Sequence, residues 1–174
     1  LVYVVVTVVL LFVFLLVAYP LVVALGAKQN PITFIKKIAN VAVFGFSTSS
    51  SAATLPLNIK VCTEDFGVDE SIASFVLPLG MTINMDGTAI MQVVATVFIA
   101  GTPAAPGAGA VILFTILSGA GFVNDSALLA YSLILAINRP IEMLVTSLNV
   151  VGDAVASICV AKSEGLLNEE KFNA

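Results

Sequence analysis

The sequence predicts an all-α integral membrane fold: spanning helices, re-entrant helical hairpins, and a broken helix with Asn84-Met85-Asp86-Gly87-Thr88 at its centre. Three observations carry this expectation. Of 174 residues 59% are hydrophobic, with only 7 basic and 11 acidic side chains and a mean hydropathy of +1.09, and a soluble domain of this length needs far more surface charge. The apolar residues fall in long runs. Several of those runs carry helix breakers at membrane depth, where backbone polar groups are tolerated only if protein or a wet cavity satisfies them.

Leu1 to Leu25 is the clean run, with no ionisable side chain except Tyr3 and Tyr19. Its length exceeds the roughly 20 residues that cross a bilayer core, so a spanning helix is expected over 1–27. It is too long for a signal peptide and lacks the basic start and the cleavage site of one. With Leu at position 1, the chain reads as a piece of something larger.

The second run, Ile38 to Val61 within an element expected over 32–63, is broken by Ser47, Thr48, Ser49, Ser50 and Ser51 and then by Pro56. Lys28, Lys36 and Lys37 precede it and Lys60 ends it, which puts both of its ends on the cytoplasmic side. A segment that enters and leaves on one side is a re-entrant hairpin, with its tip at Ser47 to Ala53. The alternative is an ordinary spanning helix whose hydroxyls bond back to the preceding turn.

The third run, 70–100, is interrupted by Asn84, Asp86 and Gly87. A carboxylate at bilayer depth costs several kcal/mol, about 3 on insertion scales, so Asp86 is expected to be paired. No basic residue lies in this run, which leaves an ion, a proton or a cation from another segment as the partner. Oxygen ligands from Asn, Asp, Thr and unwound carbonyls suit a hard cation. A protonated Asp86 in a hydrogen-bonded core, or a purely structural kink, are the bland alternatives.

The fourth run, 101–123, opens on Gly101, Thr102, Pro103, Pro106, Gly107 and Gly109. The last helix is expected over 127–162. At 100° per residue Asn138, Glu142, Thr146, Asn149 and Asp153 fall within about 80° of arc, one polar stripe on an apolar helix. Such a stripe faces protein or a cavity. Helix-to-helix hydrogen bonding explains part of it, but two carboxylates exceed what that needs, and a ligand or ion role is expected. Arg139, three residues before Glu142, is placed to neutralise it.

The order of a Ser-rich hairpin, then Leu77-Pro78-Leu79-Gly80-Met81-Thr82-Ile83-Asn84-Met85-Asp86-Gly87-Thr88, then Pro106-Gly107-Ala108-Gly109-Ala110, then Asn149-Val150-Val151-Gly152-Asp153 resembles the C-terminal transport-domain part of the dicarboxylate/amino acid:cation symporters, the glutamate transporter family. The resemblance covers nearly the whole chain. It implies a partial transport domain without the N-terminal scaffold, which in the family also makes homotrimer contacts. It also implies residue roles. Asn84 and Asp86 match side-chain ligands of one Na+ site; carbonyls of Gly80, Asn84 and Asn149 with the Asp153 carboxylate match a second; Thr82 with backbone near Thr102 matches a third. Thr88, Ser49, Ser50, Ser51 and the backbone of Ala104, Ala105, Pro106 and Gly107 would line the substrate. Glu142 stands where the family places an Asp for the substrate amino group, Asn149 where an Asn meets its carboxylate, and Thr146 shares their stripe.

Two departures sharpen the expectation. Acidic-substrate members carry an Arg where this chain has Val145, so a small neutral amino acid is expected rather than an acidic one or a dicarboxylate. Between Ala100 and Gly101 the family carries a further stretch, part of helix seven's loop and one arm of hairpin two, that is missing here; 101–123 would be the remaining arm. A nonfunctional remnant is therefore an alternative. A passive pore is disfavoured because the polar residues cluster at mid-depth.

No enzyme is expected. The chain has no His, which removes Ser-His-Asp and Cys-His catalysis, and every Lys lies towards the end of a run or outside one, away from the serines at the tip of the second. Cys62 and Cys159 read as buried apolar side chains. The basic residues form no patch for nucleic acid. The expected setting is the plasma (inner) membrane, with lipid, Na+ and an amino acid as partners.

Overall fold

In the computed structural model residues 2–101 and 125–174 are described, the side chains of 98–101 and 125–138 excepted. The described residues are helical, with no strand and one isolated bridge, Val68 to Leu167. Helix α1 is Val2–Ala27, with π turns at Phe14–Ala18 and Val23–Ala27. Pro20 follows the first π turn, where a wider turn accommodates a ring that cannot donate to the helix. Lys28 ends α1 in the left-handed conformation, φ 54°.

Asn30 then caps α2 (Pro31–Thr48), accepting from the backbone N–H of Ile32 and Thr33. Ser49 takes a left-handed φ of 49°, and Ser50 caps α3 (Ser51–Lys60) by accepting from Ala53 N at 3.2 Å. Ser47 and Thr48 do donate back to the carbonyls of Val43 and Phe44, as an ordinary helix would have them. The chain nonetheless reverses at Ser49, because two capping residues end one helix and start the next. A π turn, Val61–Asp65, extends α3 until its end meets the start of α2: Lys37 Nζ donates to Asp65 O at 3.1 Å, and the Phe34 and Phe66 rings stack at 5.6 Å. The two arms form a helical hairpin.

Asp69 caps α4 (Glu70–Ile83), accepting from the Ser71 hydroxyl and N–H, and these donors hold its carboxyl below the ordinary carboxylate range. Asn84 leaves the helix with ψ 96°, and α5 (Asp86–Gly101) starts two residues later. Helix α6 is Asp125–Ser163, and α7 is Glu169–Asn173.

Helix α6 is the axis of the molecule and packs against α2, α4 and α5. Val150, Val151, Ala154 and Ile158 on α6 meet a core that includes Phe34, Val41, Ala73 and Leu77. Val2–Ala27 and Arg139–Ser163 are long and apolar enough to cross a membrane. The first leaves Val5, Val9, Phe12, Leu16 and Leu21 exposed, an apolar face that lipid would cover; the second is mostly inside the protein.

The C-terminal segment closes the hairpin base. Phe172 is fully buried with its ring 5.1 Å from Phe66, and Lys37 Nζ also donates to the carbonyls of Lys171 and Phe172, both at 2.9 Å. Asn168 N donates to Gly67 O at 2.8 Å, an approach that a side chain at 67 would block, since a Cβ there would lie 2.7 Å from Asn168 O. Lys162 pairs with Glu169.

Candidate functional site

The break between α4 and α5 is where polar groups converge. Asn84 N makes the last helical bond of α4, to Gly80 O at 2.7 Å, and Ala89 N begins α5 by donating to Met85 O at 2.9 Å. Carbonyls at the end of α4 and N–H groups at the start of α5 are therefore the orphan groups of two helix ends that face one another across two residues. Helix α6 supplies what the break lacks. Gly87 N donates to Asn149 Oδ1 at 2.8 Å, Asn149 Nδ2 lies 3.4 Å from Thr88 Oγ1, and Asn84 Nδ2 donates to both Asn149 O (3.3 Å) and Asp153 Oδ1 (3.0 Å).

Glycines make these approaches possible. A Cβ at Gly80 would lie 2.6 Å from Asp153 Oδ1, and one at Gly87 would lie 2.8 Å from Val145 O. A Cβ at Gly152 would fall 2.3 Å from the Tyr19 hydroxyl and 2.6 Å from Asn84 Nδ2. Bare backbone on both faces lets the broken helix sit directly on α6.

Two carboxylates belong to this cluster. Asp153 is only 2% exposed and has the Asn84 amide as its donor; Asp86, half-buried, accepts from the Tyr19 hydroxyl at 2.9 Å. Among the described residues no Lys or Arg pairs with either carboxylate. Nor do the described residues hold a group of three or more His, Cys, Asp or Glu side chains that could grip a metal ion. Two carboxylates among amide and backbone oxygens are a donor set that suits a hard cation.

Of the residues singled out in the sequence, the structure brings together Gly80, Asn84, Asp86, Thr88, Asn149 and Asp153. Val145 is buried, and its carbonyl faces Gly87. Glu142 is half-buried and 3.4 Å from Arg139, the neutralising pair expected from their spacing; Thr146 donates to the Glu142 carbonyl at 3.0 Å. Gly45, one turn before the hairpin tip, would place a Cβ 2.8 Å from Val150 Cγ2 and 3.4 Å from Ser147 Cα, so the last turn leading to Ser49, Ser50 and Ser51 rests on this stretch of α6. Thr82 stands apart, exposed, with its hydroxyl donating to Leu79 O at 2.7 Å. Thr102, Ala104, Ala105, Pro106 and Gly107 lie outside the described residues, as does the expected arm at 101–123 beyond Gly101.

Tyr19 and Asn58 join the cluster although neither belongs to a motif in the sequence. In the sequence Tyr19 is an exception in an apolar run; Asn58, fully enclosed, donates from Nδ2 to Val150 O at 2.7 Å and ties the hairpin to α6. The signal in both is a lone polar side chain among apolar neighbours, which needs a partner once buried.

The chain matches the Sodium:dicarboxylate symporter family over residues 1–102 and 99–163. It belongs to that family. The two matched segments overlap over residues 99–102. Among its relatives, excitatory amino acid transporter 5 of Mus musculus is 36% identical over 166 residues, 82% of this chain and 29% of that protein. An excitatory amino acid transporter of Caenorhabditis elegans is 34% identical over 167 residues, 82% of this chain and 32% of that protein. Excitatory amino acid transporter 1 of Rattus norvegicus is 33% identical over 179 residues, 89% of this chain and 32% of that protein. The chain thus spans about a third of the length of the curated relatives it matches. These relatives are transporters and not enzymes, and sodium-coupled symport in a membrane is the activity of the family.

Proposed function

We propose that this chain is the substrate- and sodium-binding transport domain of a secondary active symporter that moves a small neutral amino acid by alternating access. The observation that carries the reading is the pair of carboxylates at the helix break, Asp86 and Asp153, held by hydroxyl and amide donors with no basic partner among the described residues. A buried carboxylate without a cation is costly, and sodium bound there removes the cost.

Asp86 with Asn84 would ligate one ion, and Asp153 with carbonyls of Gly80, Asn84 and Asn149 a second; Thr82 with backbone near Thr102 would contribute to a third. The substrate would sit beside them, among the Ser49 to Ser51 tip, Thr88, the backbone of Ala104 to Gly107, and the α6 groups Glu142, Val145, Thr146 and Asn149. Glu142 would take the amino group and Asn149 the carboxylate. Ion and substrate become coupled because both favour one closed arrangement of the break, α6 and the hairpins, so each raises the affinity for the other by the same factor.

In this reading 1–27 spans the bilayer, 32–63 is a re-entrant hairpin, 70–100 a broken helix, 101–123 an arm of a second hairpin and 127–162 the last helix. The unit moves against a scaffold carried elsewhere in a homotrimeric protein of the plasma (inner) membrane. The second reading is a symporter of acidic amino acids or dicarboxylates, which the names of the relatives favour. Val145 is the observation against it: a buried aliphatic side chain offers nothing to a second carboxylate.

Isothermal titration of the purified chain with neutral amino acids and with aspartate, in sodium and in potassium, tests the proposal. Binding of a neutral amino acid that requires sodium supports it. Equal affinity in potassium overturns sodium coupling, tight aspartate binding overturns the substrate class, and no binding by a folded chain supports a nonfunctional remnant.

A further inference from the structure

We infer that Tyr19 is a positioning residue of the cation site, aiming the Asp86 carboxylate through its phenol hydroxyl; the inference rests on the reading of Asp86 as a cation ligand. Tyr19 is the one polar side chain in the middle of a helix whose neighbours Leu16, Val17, Leu21 and Val22 are exposed and apolar, yet Tyr19 itself is 4% exposed. Local structure turns it inward. The π turn Phe14–Ala18 ends immediately before it, and a π turn shifts the register of everything that follows. Phe14 then stands edge-on to the Tyr19 ring, at 5.5 Å and 83°, and fixes its plane.

The hydroxyl reaches a point where three other segments meet. It donates to Asp86 Oδ2 at 2.9 Å, at the first residue of α5, and it occupies the space in front of Gly152, one residue before Asp153 on α6. The Asn84 amide, which holds Asp153, borders the same space. Any side chain at 152 would evict the hydroxyl. With Oδ2 engaged by Tyr19, the second oxygen of Asp86 keeps a fixed direction for a ligand. A phenol that merely needed a partner for its own burial would be served by any nearby carbonyl. This one bonds a carboxylate and spans α1 to α5 across α6, so its loss alters the direction of the ligand as well as the packing. Partners that orient a ligating carboxylate change ion affinity about 10- to 100-fold when removed.

The test is Tyr19→Phe in the full-length protein that carries this chain, in proteoliposomes. The half-saturating sodium concentration for substrate uptake, the substrate affinity at saturating sodium and the melting temperature without sodium are measured together, with Asp86→Asn alongside. The expected result is a half-saturating sodium concentration raised about 10-fold or more, with substrate affinity at saturating sodium retained. A sodium titration identical to the parent, with or without a lower melting temperature, overturns the inference if Asp86→Asn loses its sodium dependence. If Asp86→Asn also titrates like the parent, the assignment of Asp86 as a cation ligand fails with it. Should Tyr19→Phe not fold, Gly152→Ala displaces the hydroxyl sterically, and a normal sodium titration of that variant overturns the inference equally.

Discussion

Asn84 holds Asp153 across two helices: its Nδ2 donates to Asp153 Oδ1 at 3.0 Å while also reaching the carbonyl of Asn149 at 3.3 Å. One amide on the broken helix therefore satisfies a carboxylate and a backbone oxygen on α6. Asn84→Ala leaves a carboxylate that is 2% exposed without this donor, and an unsatisfied buried group costs about 1–3 kcal/mol. The expected outcome is a lower melting temperature in sodium-free detergent solution. An unchanged melt shows that the carboxylate finds water or another donor instead.

The glycines around the site make a graded prediction. Gly80 admits no Cβ, because one would lie 2.6 Å from Asp153 Oδ1; at Gly26 the nearest atom is Cys159 Sγ at 3.3 Å, which needs only a small shift. Gly80→Ala is expected to cost about 1–3 kcal/mol and to weaken sodium-dependent binding, whereas Gly26→Ala is expected to change neither appreciably. Thermal melts with and without sodium separate the two. Equal effects would mean that α4 slides on α6 to absorb the methyl group.

What could be read from the sequence was whatever carries a local signature. The reversal at Ser49 is visible because hydroxyl residues cap helices, and the break at Asn84 because Asn, Asp and Gly disfavour helix interiors. The α6 stripe is visible because helical period is exact enough to place Asn149 and Asp153 on one face. Tyr19 stands out in the sequence only as a lone polar side chain among apolar ones, and its inward direction depends on the π turn before it, which follows from the folded helix rather than from a residue motif. The C-terminal closure was hidden for a different reason: Lys37 meets the carbonyls of Asp65, Lys171 and Phe172, and side chain to backbone contacts across such separations leave no mark on composition or spacing.

Val145 tests the substrate class. It is buried on α6 one turn after Glu142's neighbour Ile141, with its carbonyl against Gly87. Val145→Arg is expected to shift preference from neutral amino acids toward aspartate by about 10- to 100-fold, since a charge-assisted hydrogen bond contributes about 1.5–3 kcal/mol. Competition binding in sodium measures it. A variant that folds, binds neutral amino acids as before and still rejects aspartate would place the substrate side chain away from position 145.

Closure of the hairpin base makes the last prediction. Phe172 lies within three residues of the final residue of this chain, yet it is fully buried against Phe66, which in turn stacks on Phe34 at the start of α2. Lys37 adds donations to two carbonyls of α7 and one at the end of the π turn. Phe172→Ala removes a large core side chain and is expected to cost about 3–5 kcal/mol; Lys37→Ala leaves carbonyls that water can reach and is expected to cost less. Both sites lie far along the hairpin from the Ser49 tip, so the lost stability is expected to leave the sodium half-saturation of the folded fraction unchanged. Melting curves read with a sodium titration decide it: a shifted titration in Phe172→Ala would show that the base of the hairpin and the helix break move as one body.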